Sequence, residues 1–275
     1  MKQDPLFDAT SSTSTTPTLV FLDTETTGIE NGRIIQLAYK KQNNVLGGND
    51  DTKNRNSEKN IVVEYFKPPV PIEIEAMSVH HITEKHVAAK PAFAGSKAYD
   101  ALQKLLADPL TILVAHNAKF DIGILEREGI AIDHNRFICT MKVAQSMYDL
   151  PQYKMQYLRY LWGIEDDEAT AHDAEGDVAI LEKVFDYMLA DYMAAHAAEY
   201  VNAPMNNSES SAIQAFVTIS KNPVLLRRAP FGKYAGKTFE EIKAADSGYL
   251  QWMATLEDKG EDFLYTVNYY LDGDK

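Results

Sequence analysis

Four acidic side chains and one histidine in this chain could together hold divalent cations and activate a water molecule. They lie in three short segments, which carry first Asp23 and Glu25, then Asp121, and then His172 and Asp177. Carboxylate oxygens are the ligands that Mg²⁺ prefers, and a neutral imidazole can accept a proton from water. Two cations held in this way can cleave a phosphodiester, so these residue types indicate phosphodiester hydrolysis.

The first acidic pair follows the apolar segment 19–22, which is typical of a buried strand. Residues two apart on a strand project from the same face, so Asp23 and Glu25 can share one cation. Such a pair alone is more often a solvated strand edge. A Thr-Thr-Gly turn follows at 26–28, where the glycine allows a ligand to approach the backbone closely.

Asp121 lies just inside a predicted helix that follows the predicted strand Thr111–Ala115. Ligands of open α/β sheets gather at the carboxyl ends of strands, so Asp121 is expected near the first pair. The alternative is a charge that stabilises the start of the helix. His116 and Asn117 are expected to fix the turn between the strand and the helix by hydrogen bonds.

His172 and Asp177 are five residues apart, which on one helix would turn their side chains about 140° away from each other. They can converge if Asp173 caps the helix, because His172 then lies on the preceding loop. The alternative for His172 is an ordinary surface histidine.

The composition is that of a globular protein without a membrane span. Of the 275 residues, 45% are hydrophobic and 24% are charged, and the net charge is −13. The start of the chain lacks an apolar segment, so we expect no signal peptide. Cys139, the single cysteine, excludes an intrachain disulfide and agrees with a cytoplasmic location.

Hydrophobic patterns predict a mixed α/β sheet with helices packed on its faces. The predicted strands lie at 18–24, 33–40, 60–66 and 111–115. The predicted helices lie at 71–77, 94–106, 119–128, 140–148, 154–161 and 174–200. An exposed loop is expected at 42–59, which is rich in Asn, Asp and Gly.

Four segments make up the predicted domain organisation. Residues 1–16 are expected to form a disordered tail, and 17–201 the main domain. Residues 202–212 have the composition of a linker, since 203–211 is rich in Ser and Asn. The remaining residues, 213–275, are expected to form a small C-terminal module.

The three acidic segments, in this order, resemble the motifs of the DEDDh family of 3′–5′ exonucleases. The segments are Asp-Thr-Glu-Thr-Thr-Gly, His-Asn-Ala-Lys-Phe-Asp and His-Asp-Ala-Glu-Gly-Asp. The resemblance implies a ribonuclease-H-like fold with a mixed five-stranded sheet. It also implies that Asp23, Glu25, Asp121 and Asp177 hold two Mg²⁺ or Mn²⁺ ions, with His172 as the general base. That base must be neutral to act, so activity should rise through about pH 6–8.

The same resemblance indicates which residues lie near the substrate. The segment 80–83 (His-His-Ile-Thr) is similar to a His-Gly-Ile-Thr stretch of the family, with His81 standing where glycine is usual. The residues implied to contact the substrate are Thr26, Thr27, Gly28, His81, Ile82, Asn117 and Phe120.

The C-terminal residues resemble the small C-terminal module of exodeoxyribonuclease-X-like proteins, at 230–237 and 248–252. Basic and aromatic side chains alternate there, a combination that suits single-stranded nucleic acid. The residues expected to bind nucleic acid are Arg227, Arg228, Lys233 and Lys237. Phe231, Tyr249 and Trp252 could instead form the core of the module, and for Trp252 we expect a core position.

The chain is therefore expected to be an enzyme that removes nucleoside monophosphates from the 3′ end of DNA. The partners that this function implies are nucleic acid with a free 3′ end and a polymerase or DNA-repair protein. Three alternatives remain: an exoribonuclease of the same family, a non-catalytic nucleic-acid-binding module, and a glycosidase with two carboxylates. The glycosidase needs only two acids, so four acids in this order count against it.

Overall fold

The computed structural model of the protein describes residues 17–42, 61–164, 174–200 and 205–272. The predicted tail at 1–16 and most of the predicted loop at 42–59 lie outside these ranges. His172 and Asp173 do so as well, so the expected helix cap at Asp173 is not described.

A five-stranded mixed sheet forms the centre of the molecule, with the strand order β3-β2-β1-β4-β5. β1 pairs antiparallel with β2 and parallel with β4, so it is the central strand. The strands are β1 Thr18–Thr26, β2 Ile34–Gln42, β3 Ile61–Tyr65, β4 Thr111–Ala115 and β5 Phe137–Cys139. The predicted ribonuclease-H-like five-stranded sheet is confirmed. β5 was not predicted, because three apolar residues are too few to show a strand pattern.

Eleven α-helices lie in the described ranges, most of them where periodicity predicts them. They are α1 Ile74–His80, α2 Glu84–Val87, α3 Lys97–Ala107, α4 Ala118–Arg127, α5 Thr140–Met147, α6 Met155–Leu161, α7 Ala174–Ala195, α8 Met205–Lys221, α9 Phe239–Ala245, α10 Ser247–Met253 and α11 Glu261–Asp272. None of them combines the length and the apolar character that a membrane span requires.

The core lies on both faces of the sheet, as the alternation of side chains along β1 requires. Phe21 belongs to the cluster that α7 and α8 cover, and its ring lies 5.4 Å from that of Phe185. Leu22 belongs to the cluster that α3 and α4 cover, together with Leu102 and Leu125. The carboxyl end of β1 therefore lies between α7 on one face and α4 on the other.

The predicted linker at 202–212 is wrong from Met205 onward, because α8 begins there and continues to Lys221. The helix buries Ala212 and Phe216 in the main core, where Phe216 meets Phe185 at 5.8 Å between ring centroids. Composition was misleading because the apolar stripe of α8 starts only at Ala212, after a first half that consists mainly of Ser and Asn. The predicted boundary at 212 thus crosses a helix of the main core.

The last helices, α9 to α11, surround a separate small cluster that includes Phe239, Leu250 and Phe263. Phe231 and Tyr249 pack against this cluster, as one of the two predictions for them stated. Trp252 does not, since 48% of it is exposed. The expected core position of Trp252 is wrong because α10 buries Leu250 and Met253, and residue 252 then points to another side of the helix.

Candidate metal centre

Three of the four predicted carboxylates meet at the carboxyl end of β1. Asp23, Glu25 and Asp177 each offer one carboxylate oxygen, and these oxygens lie within 4.8 Å of one another. Asp23 and Glu25 project from the face of the sheet that α7 covers. Asp177 lies in the first turn of α7 and is buried. The β1–β2 register shifts directly after Glu25, so regular pairing changes at the site.

Gln36 holds the start of α7 beside this pair. It lies opposite Glu25 in the β1–β2 ladder and is buried. Its Oε1 accepts a hydrogen bond from the backbone N–H of Ala174 at 3.4 Å, and its Nε2 donates to the Tyr65 hydroxyl at 2.9 Å. The role of Gln36 was not predicted, although a lone amide in the apolar segment 34–39 was a usable signal.

Asp121 reaches the end of β1 from the other face of the sheet. It lies in the first turn of α4, is only 3% exposed, and accepts a hydrogen bond from Thr24 Oγ1 at 2.8 Å. Burial raises the pKa of Asp121 to about 7, and the hydrogen bond from Thr24 opposes this shift. Thr24 lies between Asp23 and Glu25. The end of β1 therefore carries two of the predicted ligands, lies beside the third, Asp177, and is hydrogen-bonded to the fourth, Asp121.

The turn after β1 is fixed by hydrogen bonds within the protein. Thr26 Oγ1 donates to the carbonyl of Gly28 at 2.9 Å, and Thr27 Oγ1 accepts from the backbone N–H of Arg33 at 3.0 Å. Both threonines are buried. Their hydroxyls therefore shape the turn.

His80, for which no role was predicted, links this turn to the segment after α1 by hydrogen bonds. Its Nδ1 accepts from the backbone N–H of Ile82 at 3.0 Å, so its Nε2 carries the hydrogen and donates to the carbonyl of Thr26 at 3.2 Å. Ile82, an expected substrate contact, is buried in a small cluster with Ile72 and Val87. His81 is exposed and has φ 60°, a backbone conformation that favours glycine.

Two large apolar side chains stand exposed beside the turn. Ile29 is 81% exposed and Ile74 is 75% exposed. In the sequence Ile29 follows Gly28 and Ile74 follows Glu73. Gly28 and Glu73 are in contact in space, since a side chain added at Gly28 would overlap the Glu73 carboxylate. Neither isoleucine was predicted to lie near the site, because exposure of an apolar residue is not visible in a sequence.

The turn before α4 is held by His116, as predicted. Its Nε2 donates to the carbonyl of Tyr153 at 2.9 Å, and its Nδ1 lies 2.9 Å from the Thr140 hydroxyl. Burial lowers the pKa of His116 to about 4, so the ring is neutral at physiological pH. Asn117 is exposed with φ 61°, and Phe120 is half-buried against the core on the α4 face.

Three of the four basic residues predicted to bind nucleic acid form ion pairs within the protein. Arg228 makes two hydrogen bonds of 2.8 Å to Asp149. Lys233 lies 3.0 Å from Asp246, and Lys237 lies 3.7 Å from Glu241. Arg227 is exposed, and no ion pair to it occurs among the described residues.

The donor set of the site fits hard divalent cations. Three carboxylates converge, a fourth lies at the same strand end, and all of the offered atoms are oxygens. His172 lies outside the described ranges, two positions before the first residue of α7, so its role stays a prediction.

Comparison with known proteins gives two family matches. The Exonuclease family matches residues 20–185, and a family described as Exodeoxyribonuclease X-like C-terminal matches residues 230–257. The chain is 29% identical to exodeoxyribonuclease 10 of Escherichia coli (strain K12) over 266 residues, which cover 92% of this chain and 99% of that protein. It is 31% identical to DNA polymerase III subunit epsilon of Haemophilus influenzae over 173 residues, which cover 60% of this chain and 65% of that protein.

A solved structure of E. coli exonuclease I in complex with a dA16 oligonucleotide has a similar fold. The TM-score is 0.51 and the sequence identity 20%, and the match covers 66% of this chain and 43% of that chain. At this identity the likeness concerns the fold alone.

Proposed function

Because the chain belongs to the exonuclease family, we propose that it is a metal-dependent enzyme that degrades DNA from the 3′ end to nucleoside monophosphates. The observation that carries this proposal is the convergence of Asp23, Glu25 and Asp177 within 4.8 Å at the end of β1. The choice of DNA is supported by the relative named exodeoxyribonuclease 10, which matches 92% of the chain.

The residues that would hold two Mg²⁺ or Mn²⁺ ions are Asp23, Glu25, Asp177 and Asp121. When bound, such ions lower the pKa of a water molecule and offset negative charge on the phosphate. The buried strand β1 presents two of the carboxylates, and the first turn of α7 brings the third against them. Asp121 enters from α4, where binding of a cation would favour its ionised form.

His172 is proposed to accept the proton of the attacking water. Its position two residues before α7 puts it next to the element that carries Asp177. A histidine with an ordinary pKa near 6.5 is mostly neutral at about pH 7.5, so it can act as a base there. The turn at 26–28, with the exposed side chains of Ile29 and Ile74 beside it, is proposed to contact the terminal nucleotide.

The C-terminal module is proposed to bind the nucleic-acid strand that leads to the site. This is supported by its position next to α4, since Lys119 of that helix lies 2.6 Å from Glu261 of α11. The residues proposed to contact nucleic acid are Arg227, which is exposed, and the half-exposed Trp252, whose ring lies 4.9 Å from that of Tyr249. Arg228, Lys233 and Lys237 could contribute where their ion pairs exchange for phosphate.

A cytoplasmic location and a partnership with a polymerase or a repair protein are proposed as well. The similarity to a DNA polymerase III subunit supports the partnership, and it covers 60% of this chain.

The decisive experiment is digestion of DNA and RNA oligomers of equal sequence, labelled at either end, with Mn²⁺ and with EDTA. We expect the 5′-labelled DNA to shorten stepwise, and the 3′ label to be released as a mononucleotide, only with the metal. Asp23→Asn should lower kcat by about 10³-fold or more, because a ligand oxygen is lost. Asp100→Asn, on the exposed surface of α3, is the matched control and should leave kcat unchanged.

Three results would contradict the proposal. Faster digestion of RNA would make the enzyme an exoribonuclease. Cleavage at internal positions of the oligomer would exclude an exonuclease. Equal rates of digestion in Mn²⁺ and in EDTA would exclude a requirement for metal.

A further inference from the structure

Helix α6 brings an amide side chain into contact with the candidate metal centre. Gln156, in the first turn of α6, donates from its Nε2 to Asp177 Oδ1 at 2.9 Å. Gln156 is half-buried and Asp177 is buried, so this hydrogen bond is shielded from bulk water. The contact joins a carboxylate of the site to a helix that carries none of the predicted ligands.

The orientation of the Gln156 amide is determined by its other neighbour. Arg159 Nη1 lies 3.4 Å from Gln156 Oε1, and the Arg159 side chain is buried. A guanidinium can only donate hydrogen bonds, and an ionised carboxylate can only accept them. The amide oxygen must therefore face Arg159 and the amide nitrogen must face Asp177. The hydrogen bonds therefore run from the Arg159 guanidinium through the Gln156 amide to the Asp177 carboxylate.

Helix α6 is itself fixed, so the amide is presented from a defined position. Leu158 is fully buried in the core on the α7 face. His116 donates to the carbonyl of Tyr153, just before the helix, at 2.9 Å. A donor on a fixed helix constrains the direction of the carboxylate that it binds more strongly than a donor on a mobile loop would.

The hydrogen bond has a consequence for the oxygens of Asp177. One lone pair of Oδ1 is engaged by Gln156, which restricts rotation of the carboxylate. Asp23 and Glu25 lie close by, and like charges would otherwise turn the Asp177 carboxylate away from them. Hydrogen-bond partners of metal ligands typically account for about 10- to 100-fold in metal affinity.

We propose that Gln156 is a positioning residue for the metal centre, which orients Asp177 for cation binding with Arg159 behind it. This inference rests on the proposed function, because it assumes that Asp177 is a metal ligand. Gln156 does not need to touch the substrate for this role. Its effect should therefore appear in metal binding before it appears in turnover.

The test is calorimetric titration of the full-length protein with Mn²⁺, without nucleic acid. Gln156→Met keeps the length of the side chain and removes the donor, and it should weaken Mn²⁺ binding by about tenfold or more. The matched control is Gln145→Met on α5, a helix that carries none of the predicted ligands, where the glutamine is also half-buried. That control should bind Mn²⁺ within about twofold of wild type.

Kinetics give a second measurement that a purely structural role would not affect in the same way. At saturating Mn²⁺, kcat of Gln156→Met should return to within a few-fold of wild type, and KM for DNA should be unchanged. In the Gln156→Met background, adding Arg159→Met should weaken Mn²⁺ binding no further, because Arg159 acts through the amide.

The outcomes separate this inference from the proposed function. If wild type binds Mn²⁺ and cleaves DNA while Gln156→Met binds Mn²⁺ equally well, the positioning role is wrong and the function stands. A variant that melts at a lower temperature but binds Mn²⁺ normally would lead to the same conclusion. If wild type neither binds Mn²⁺ nor cleaves DNA, the proposed function fails and the positioning role fails with it.

Discussion

At the scale of single residues, Asp121 combines a predicted role in metal binding with almost complete burial. Its carboxylate accepts a hydrogen bond from the Thr24 side chain at 2.8 Å, and burial raises its pKa to about 7. In the unfolded chain an aspartate has a pKa near 3.9. The folded protein without metal therefore holds a proton on Asp121 more tightly than the unfolded chain does. Its contribution to stability is full below about pH 4 and is lost as the pH rises through about 7.

Asp121→Asn should therefore stabilise the metal-free protein at about pH 8, by an amount on the order of 2–4 kcal/mol, and have little effect at about pH 4. The amide has the same shape, and its oxygen can still accept from Thr24. Activity with Mn²⁺ should fall sharply, since a neutral amide is a weaker ligand. Urea unfolding at both pH values in EDTA measures the first effect. Equal destabilisation at both pH values would mean that the carboxylate is required for the fold.

The carboxylates of the candidate metal centre could be predicted from the sequence, whereas the residues that hold them in place could not. Asp23 and Glu25 could be paired because strand alternation puts residues two apart on one face. Gln36 and Gln156 were missed because an amide has no recognisable spacing relative to its partner. Gln156 meets Asp177 only through the packing of α6 on α7, a tertiary contact that no local pattern encodes.

At the scale of elements, α7 carries a second group of charges, away from the carboxylates of the site. Glu182 forms an ion pair with Lys40 of β2 at 2.6 Å. Asp186 lies one turn further along α7. Burial raises the pKa of Asp186 to about 7, and the charges of Glu182 and Glu209 add to this, while Lys40 opposes it. The helix therefore contains a carboxylate that destabilises the folded protein once it is ionised.

Asp186→Asn should raise the melting temperature at about pH 8, by the equivalent of roughly 1–3 kcal/mol, and leave it almost unchanged at about pH 4.5. The pKa of Asp186 is higher in the folded protein than in the unfolded chain. The contribution of Asp186 to the stability of the folded protein is therefore lost as the pH rises through about 7, and its replacement should be stabilising only at high pH. Unlike the effect at Asp121, this one should persist in Mn²⁺. Thermal melts across this pH range, with Asp100→Asn as the control, measure it. An equal rise in melting temperature at about pH 4.5 and about pH 8 would show that ionisation of Asp186 is not the cause.

Helix α8 shows where prediction from composition fails. Its first half consists mainly of Asn, Ser and Glu, which also occur in linkers. Its second half packs Ile213 and Phe216 into the main core, and Ser220 donates to the carbonyl of Phe216 within the helix at 2.7 Å. Burial against α7 and β5 gives this segment its helical structure, and intrinsic propensity contributes little.

At the scale of the whole molecule, the C-terminal module is joined to the main core by a buried ion pair. Lys142 of α5 is only 4% exposed at its side chain and lies 3.1 Å from Asp262 of α11. Its Nζ also donates to the carbonyl of Asn222 at 2.6 Å. Arg228 and Asp149 add a second, more exposed pair. Removing one partner of a buried pair leaves an uncompensated charge, which is strongly destabilising.

Two truncations should therefore behave differently. A chain that ends at residue 212 loses Ile213, Phe216 and Val217 from the core and should not fold, since loss of one buried Phe alone costs about 3–5 kcal/mol. A chain that ends at residue 224 keeps α8 and should fold, but with reduced stability because Lys142 loses Asp262. Adding Lys142→Met to the longer truncation should restore part of this loss.

Circular dichroism melts of the two truncations and of the Lys142→Met form measure these effects. A folded protein that ends at residue 212 would show that α8 is dispensable. If Lys142→Met lowers the melting temperature of the longer truncation further, Lys142 has another role in the main core.

The central position of β1 has a consequence for the order in which a newly made chain can acquire activity. The β1–β2 ladder joins neighbouring segments and can form early, whereas Thr18 finds its β4 partner only at Thr111. Helix α7 brings Asp177 to β1, and its apolar side is completed by Phe216 of α8. Contacts between distant segments form late during synthesis. Asp177 therefore reaches Asp23 and Glu25 only after most of the sequence has left the ribosome, and a nascent chain should bind no cation at this site before then.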